Sequence, residues 1–123
     1  MDSKILDYTL DAMGAPKEDA AFNTVCLNFI SGGLATLNQV GVGDKIVPDK
    51  DTTWRTFFKE GESEIVIGLS KLYIQLNTQI LFDPPGPSVI SYTKQAIDEL
   101  LWRIREEVSI SEREDTTPGI TPQ

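Results

Sequence analysis

The sequence predicts an all-α chain: a small helical bundle built on an antiparallel helical hairpin, with an extended C-terminal tail. Three observations predict it. Ile65, Leu69, Leu72, Tyr73, Leu76 and Ile80 recur at helical i, i+3, i+4 steps, and so do Val89, Ala96, Ile97, Leu100, Leu101, Ile104 and Val108. Between these two apolar stripes stands Asp83-Pro84-Pro85-Gly86-Pro87, which cannot be helical because each proline removes a backbone donor and pushes the residue before it out of the α region. After Val108 the composition turns polar, leaving Ile110 and Ile120 as the only apolar anchors. Two striped helices joined by a stiff corner pack side by side, whereas a polar tail alone in water has too little to bury.

Taken in order, Ser3 is placed to cap a short first helix through Met13, with Ile5, Leu6, Leu10 and Met13 inward and Asp7 and Asp11 outward. Gly14 ends it. Pro16 suits the first position of a second helix, with Glu18 and Asp19 in its first turn where the helix dipole favours acids. Phe22, Val25, Cys26, Phe29, Ile30, Leu34, Leu37 and Val40 carry its stripe. Gly32-Gly33 interrupts that helix at about 1 kcal/mol per glycine relative to alanine, which calls for close approach of another backbone: either tight packing within the chain or a subunit contact. Gly41 and Gly43 stop the helix, residues 44–53 read as a loop, and Trp54, Phe57 and Phe58 sit on a short helix before Gly61. Ser88 is expected to cap the second arm of the hairpin.

At 123 residues the chain fits one domain, divided into a helical body over residues 1–108 and the tail over 109–123. The sequence holds 19 acidic and 11 basic residues, a net charge of -8, which repels phosphate backbones and makes duplex DNA a poor ligand. A single cysteine, Cys26, rules out an internal disulfide. The lack of any histidine removes Ser-His-Asp and Cys-His catalysis and the commonest zinc ligand together. No apolar run of about 18 to 20 residues and no basic-then-apolar start are read, so the expectation is no membrane partner and a cytosol-like compartment.

No constellation reaches a catalytic, cofactor or metal site. Gly41-Val42-Gly43-Asp44-Lys45 lacks the Gly-Lys-Ser/Thr ending and preceding strand of a phosphate loop and reads as a helix stop. Asp49, Asp51, Thr53 and Glu60 match positions 1, 3, 5 and 12 of a calcium loop, but Trp54 occupies the place where glycine makes the turn. Asp7 with Asp11, and Glu60 with Glu62 and Glu64, read as solvated carboxylates. Cys26 lies on an apolar stripe as a small core residue. Trp54 and Trp102 are anchors for the core or for a subunit interface. Arg103 and Arg105 suit the negative pole at the end of the second arm, or a salt bridge to an acidic neighbour in an assembly.

Four pieces then resemble one family. Leu37-Asn38-Gln39-Val40-Gly41-Val42-Gly43, Thr53-Trp54 with Phe57, Tyr73-Ile74-Gln75-Leu76 leading into Leu81-Phe82-Asp83-Pro84-Pro85, and Glu99-Leu100-Leu101-Trp102-Arg103 occur in this order in head-tail connector (adaptor) proteins of tailed bacteriophages. The resemblance spans roughly residues 5 to 105. It implies a non-enzymatic, structural subunit that forms a homo-oligomeric, dodecameric ring in the neck of the virion after assembly in the host cytoplasm. Such a ring joins the portal protein to a stopper or tail-completion protein and extends the DNA channel, through which DNA passes without sequence-specific binding.

Carried over by position, Ile110, Arg113, Pro118 and Ile120 become portal-binding candidates, and Lys45, Asp49 and Asp51 of the 44–53 loop become candidates for contact with the next ring. Gly32, Gly33, Trp102 and Arg103 are the subunit-interface candidates. No cofactor is implied. Gly86-Pro87 departs from the small polar residues relatives usually place before that helix, and the tail extends past the shared pieces. The competing reading from composition is a small acidic helical protein that binds and inhibits a basic nucleic-acid-binding partner.

Overall fold

The structure, a computed structural model, describes residues 2–120, with side chains through residue 112. These residues form five helices: α1 (Ile5–Met13), α2 (Ala20–Gln39), α3 (Trp54–Phe57), α4 (Glu64–Phe82) and α5 (Pro87–Ile120). The all-α class is what the sequence predicts. The centre of the bundle is a single helix, α4, which packs against α1, α2 and α5.

Local chemistry sets the helix starts, and two of them move from their expected places. Ser3 does not cap α1, because its carbonyl accepts from Trp54 N (3.2 Å) while Ile5 N donates to Thr52 O (2.9 Å); Lys4 holds the cap position without a side-chain bond. The segment before α3 therefore pins the start of the chain. Helix α2 begins at Ala20 rather than Pro16, since the Asp19 carboxylate accepts from Phe22 N at 3.0 Å and caps it. Ser63 caps α4 by accepting from Ile65 N and Val66 N. Pro87 itself is the first residue of α5, so Ser88 lies inside the helix instead of capping it.

The apolar stripe expected on α4 is displaced. Its buried residues are Val66, Ser70, Tyr73, Ile74 and Thr78, whereas Ile65 and Leu72 are 58 % and 43 % exposed. The reason is that α4 is covered on two sides, by α2 and by α5, so its contact surface is broader than one stripe and takes in the small polar residues Ser70 and Thr78. Toward α5, Leu72 and Leu76 share a groove with Ala96, Leu100 and Arg103, while Val66 shares another with Val108 and Ser111. Higher numbers on one helix thus meet lower numbers on the other.

The tail is the main correction. Helix α5 does not stop at Val108 but runs on as helix to Ile120, crossing the boundary placed between 108 and 109. Val108 is buried, and Val108, Ser111 and Glu112 line a groove with Gly41 and Ser63. An inward face therefore continues past the expected end, and extending an existing helix by one residue is far cheaper than starting one.

Helices α2 and α4 are more apolar than the sequence reading allowed: each has mean hydropathy 1.3 over 18 residues, enough by length and composition to cross a bilayer. In this fold they pack on one another, with Ile30, Leu34, Leu37, Val66 and Ile74 in one shared core. Trp54, Phe57 and Phe58 close its end, Trp54 stacked on Phe58 (5.5 Å) and edge-on to Tyr8 (5.6 Å).

Candidate functional site

Several ionisable side chains are engaged in structure. The Glu62 carboxylate accepts from Gly43 N (3.1 Å) and Lys59 N (3.3 Å), which ties the turn before α4 to the end of α2. Asp11 pairs with Lys17 at 2.8 Å, and this bond raises the lysine's pKa. Asp49 accepts from Asp51 N and the Thr52 hydroxyl, and these donors lower its pKa. Trp54, in the sixth place of the calcium-loop pattern, is wholly buried, and no group of three or more candidate metal ligands occurs among the described residues. Burial pushes the Cys26 thiol up to about 11, so it stays protonated at neutral pH.

What remains is surface, and the structure sorts the predicted residues onto different sides of the molecule. The two glycines part company. Gly33 is buried under α4, where a Cβ would stand 2.7 Å from Ile74 Cδ1; tight packing within the chain accounts for it, and it is not available to a neighbour. Gly32 faces out, with nothing within 4 Å of a Cβ built there. Trp102 is 58 % exposed, and Arg103 pairs loosely with Glu99 one turn earlier (3.6 Å). Trp54, by contrast, is the core tryptophan. Composition treats the two alike; only the position of each on its helix separates them.

The 44–53 loop lies lengthwise along α2 rather than standing at one end of the bundle. Its first part, Asp44 to Val47, borders a groove with Ser31, Leu34, Ala35 and Asn38, and its later part, Lys50 and Asp51, borders one with Ala20, Thr24 and Leu27. Asp44 N donates to Phe57 O at 2.8 Å and Lys4 pairs with Asp51 at 3.2 Å, so both ends are tied down. Lys45, Asp49 and Asp51 are exposed on it. Ile110 is at the margin of exposure on α5. Arg113, Pro118 and Ile120 continue that helix, and their side chains lie outside the described residues.

Two features escaped sequence reasoning. Val47 is 90 % exposed beside the α2 groove, a position that a polar, aperiodic loop does not reveal. The outer face of α2 carries Ala21, Val25, Asn28, Gly32, Ala35 and Gln39, all exposed, and no charged residue occurs anywhere between Asp19 and Asp44. The signal for the second was present, as a charge-free run within an acidic chain.

A model of the family described as phage connector protein matches residues 5–110. The chain belongs to that family. No curated protein and no solved structure matches it. Membership makes this connector a structural component of the head-tail connection, placed in the neck of the virion with the portal and other neck components. The match takes in α1 to α4 and most of α5, so the aromatic closure around Trp54 and the α4 core belong to the shared domain.

Proposed function

We propose that this connector subunit closes into a homo-oligomeric ring, dodecameric as in the family the sequence resembles, that joins the portal to the next neck component and extends the DNA channel. The family match over residues 5–110 is the observation that carries the reading. Self-association into a closed ring needs two different faces on each copy, and a bundle with α2 and α5 on separate sides of α4 offers them. The C-terminal part of α5, with Ile110, Arg113, Pro118 and Ile120, is the segment proposed to reach the portal. Lys45, Asp49 and Asp51 are the exposed charges proposed to meet the stopper or tail-completion protein.

The subunit acts by binding and performs no chemistry. A net charge of -8 favours a lumen along which DNA slides without adhering, the inverse of counterion release on a basic surface. Assembly takes place in the host cytoplasm before the ring is built into the virion.

The test is to mix the purified protein with its portal and follow sedimentation and electron-microscope images. The expected result is a ring seated on the portal, and deletion of residues 109–123 is expected to abolish seating while the helical core stays folded. A chain that remains monomeric with portal present and instead co-purifies with a basic nucleic-acid-binding protein would replace this reading with the inhibitor one.

A further inference from the structure

We infer that Trp102 of one copy seats in the groove between α2 and the 44–47 segment of the next copy, with the uncharged outer face of α2 as the floor. The inference rests on the ring reading and names its lateral interface.

The α2 side is built to be covered. Glycine is unfavourable inside a helix, and Gly33 has its reason in Ile74, but a Cβ on Gly32, like one on Gly68 of α4, would meet no other described atom within 4 Å. A close approach from outside supplies that reason. Copies of a chain with net charge -8 repel one another, so they meet most readily where charge is absent, and α2 carries none. Beside this face opens a groove of about 360 Å3 that includes Ala35, Ile46 and Val47 in its lining.

The α5 side supplies the knob. Trp102 points away from the core that Ile97, Leu100, Ile104 and Val108 enter: at 100° per residue, it stands on the far side of the helix from them. Tryptophan, with tyrosine and arginine, is enriched among the residues that anchor the centres of interfaces.

Knob and groove also stand at the same height. A Cβ on Gly41 would lie 2.9 Å from Val108 Cγ1, which makes the end of α2 level with Val108. At the other end Phe22 stacks on Phe82 (4.3 Å), just before the corner that leads into α5. The two helices therefore run parallel on different sides of α4, and six residues back from each reference point stand Ala35 and Trp102. Neighbours related by rotation about an axis along the bundle keep that height, so the tryptophan of one copy arrives opposite Ala35 of the next. Asp44 and Lys45 at the groove rim then face Asp98, Glu99, Arg105 and Glu106, the charged residues one turn to either side of Trp102 on α5.

A second exposed apolar strip, Ile65 and Leu72 on α4, borders a groove with Leu76, Ala96, Leu100 and Arg103, but Glu64 and Lys71 on its own helix and the Glu99–Arg103 pair on α5 edge it with charge, and a third set, Leu81, Val89 and Tyr92, sits at the α4–α5 corner away from the level of Ala35.

The test uses full-length protein in three variants, Trp102→Ala, Ala35→Glu and Val47→Asp, all at exposed positions, with sedimentation as the readout and circular dichroism to verify the fold. Each variant is expected to raise the concentration needed for assembly roughly thirtyfold or more, as loss of an interface anchor does. A mixture of Trp102→Ala with Ala35→Glu is expected to form one-to-one heterodimers and nothing larger, because each keeps the face the other lacks. If wild type assembles and the folded variants assemble equally well, the inference is overturned and the ring reading stands. If each variant fails but the mixture does not pair, the faces do not meet head to tail and the inference is again overturned. Wild type that stays monomeric with portal present removes the ring reading itself.

Discussion

Gly43 lies flat against the ring of Phe57: a Cβ built on the glycine would come 2.6 Å from Cζ and 2.7 Å from both Cε atoms. The glycine has φ +66, so an L side chain there meets backbone strain as well as a rigid aromatic face. Left-handed backbone costs about 1 kcal/mol or more and overpacking adds roughly 1–3 kcal/mol. Gly43→Ala is therefore expected to destabilise the fold by about 2–4 kcal/mol in urea melts. Gly61→Ala, at φ +82 with open space around it, should cost only about 1 kcal/mol.

Helix caps give a second contrast. Asp19→Ala and Ser63→Ala each remove an acceptor from the first turn of a core helix and are expected to cost about 1 kcal/mol each. Ser3→Ala should be close to neutral, since only the Ser3 carbonyl is used. Equilibrium unfolding of the three variants side by side checks the order.

Above neutral pH the buried thiol sets the direction of change. Cys26 ionises near 9.0 when unfolded and is pushed up to about 11 by burial, so above pH 9 the unfolded chain sheds a proton that the folded chain keeps. Stability is then fully present below about pH 9 and falls as pH rises toward 11, by roughly 2 kcal/mol from this group. Cys26→Ala should flatten that limb when stability is plotted against pH. A thiol reagent at pH 8 should label the wild type only as fast as it unfolds.

On the acid side, the donors around Asp49 and the Arg55 guanidinium beside Asp2 hold both carboxylates below their ordinary value. Their contribution is present above about pH 4 and is lost as pH falls through the lowered values. Asp49→Asn should make the acid limb of the stability curve shallower, as followed by circular dichroism between about pH 5 and about pH 2.

Lys71 stands over the rings of Tyr8 (5.1 Å) and Trp54 (5.6 Å), and Lys71→Gln is expected to cost about 0.5–1 kcal/mol. The exposed Arg103–Glu99 pair should be worth far less, and Arg103→Gln is expected to leave the melting temperature of the isolated chain unchanged.

The helices were legible because their apolar spacing and glycine stops are local features: α1, α3, the end of α2 and the α4–α5 corner follow from residues a few positions apart. The burial pattern of α4 was not, because it depends on having partners on two sides. A period count favours Leu72, yet the fold buries Ser70 and Thr78 and leaves Leu72 at the edge. The continuation of α5 was missed for a related reason: Ser111 and Glu112 look like tail until Gly41 and Ser63 are brought beside them. Of the surface residues, Gly32 and Trp102 were singled out by type, but which glycine of the pair faces outward, and which tryptophan, depends on the direction each helix turns toward the core.

That α4 touches every other long helix has a mechanical consequence. Neither half of the molecule has a core of its own, so melting is expected to be cooperative, with no piece left standing once the middle strut gives way. A pull applied at α2 by one neighbour and at α5 by another would travel through that strut, and each subunit would carry load between its neighbours as a single stiff link.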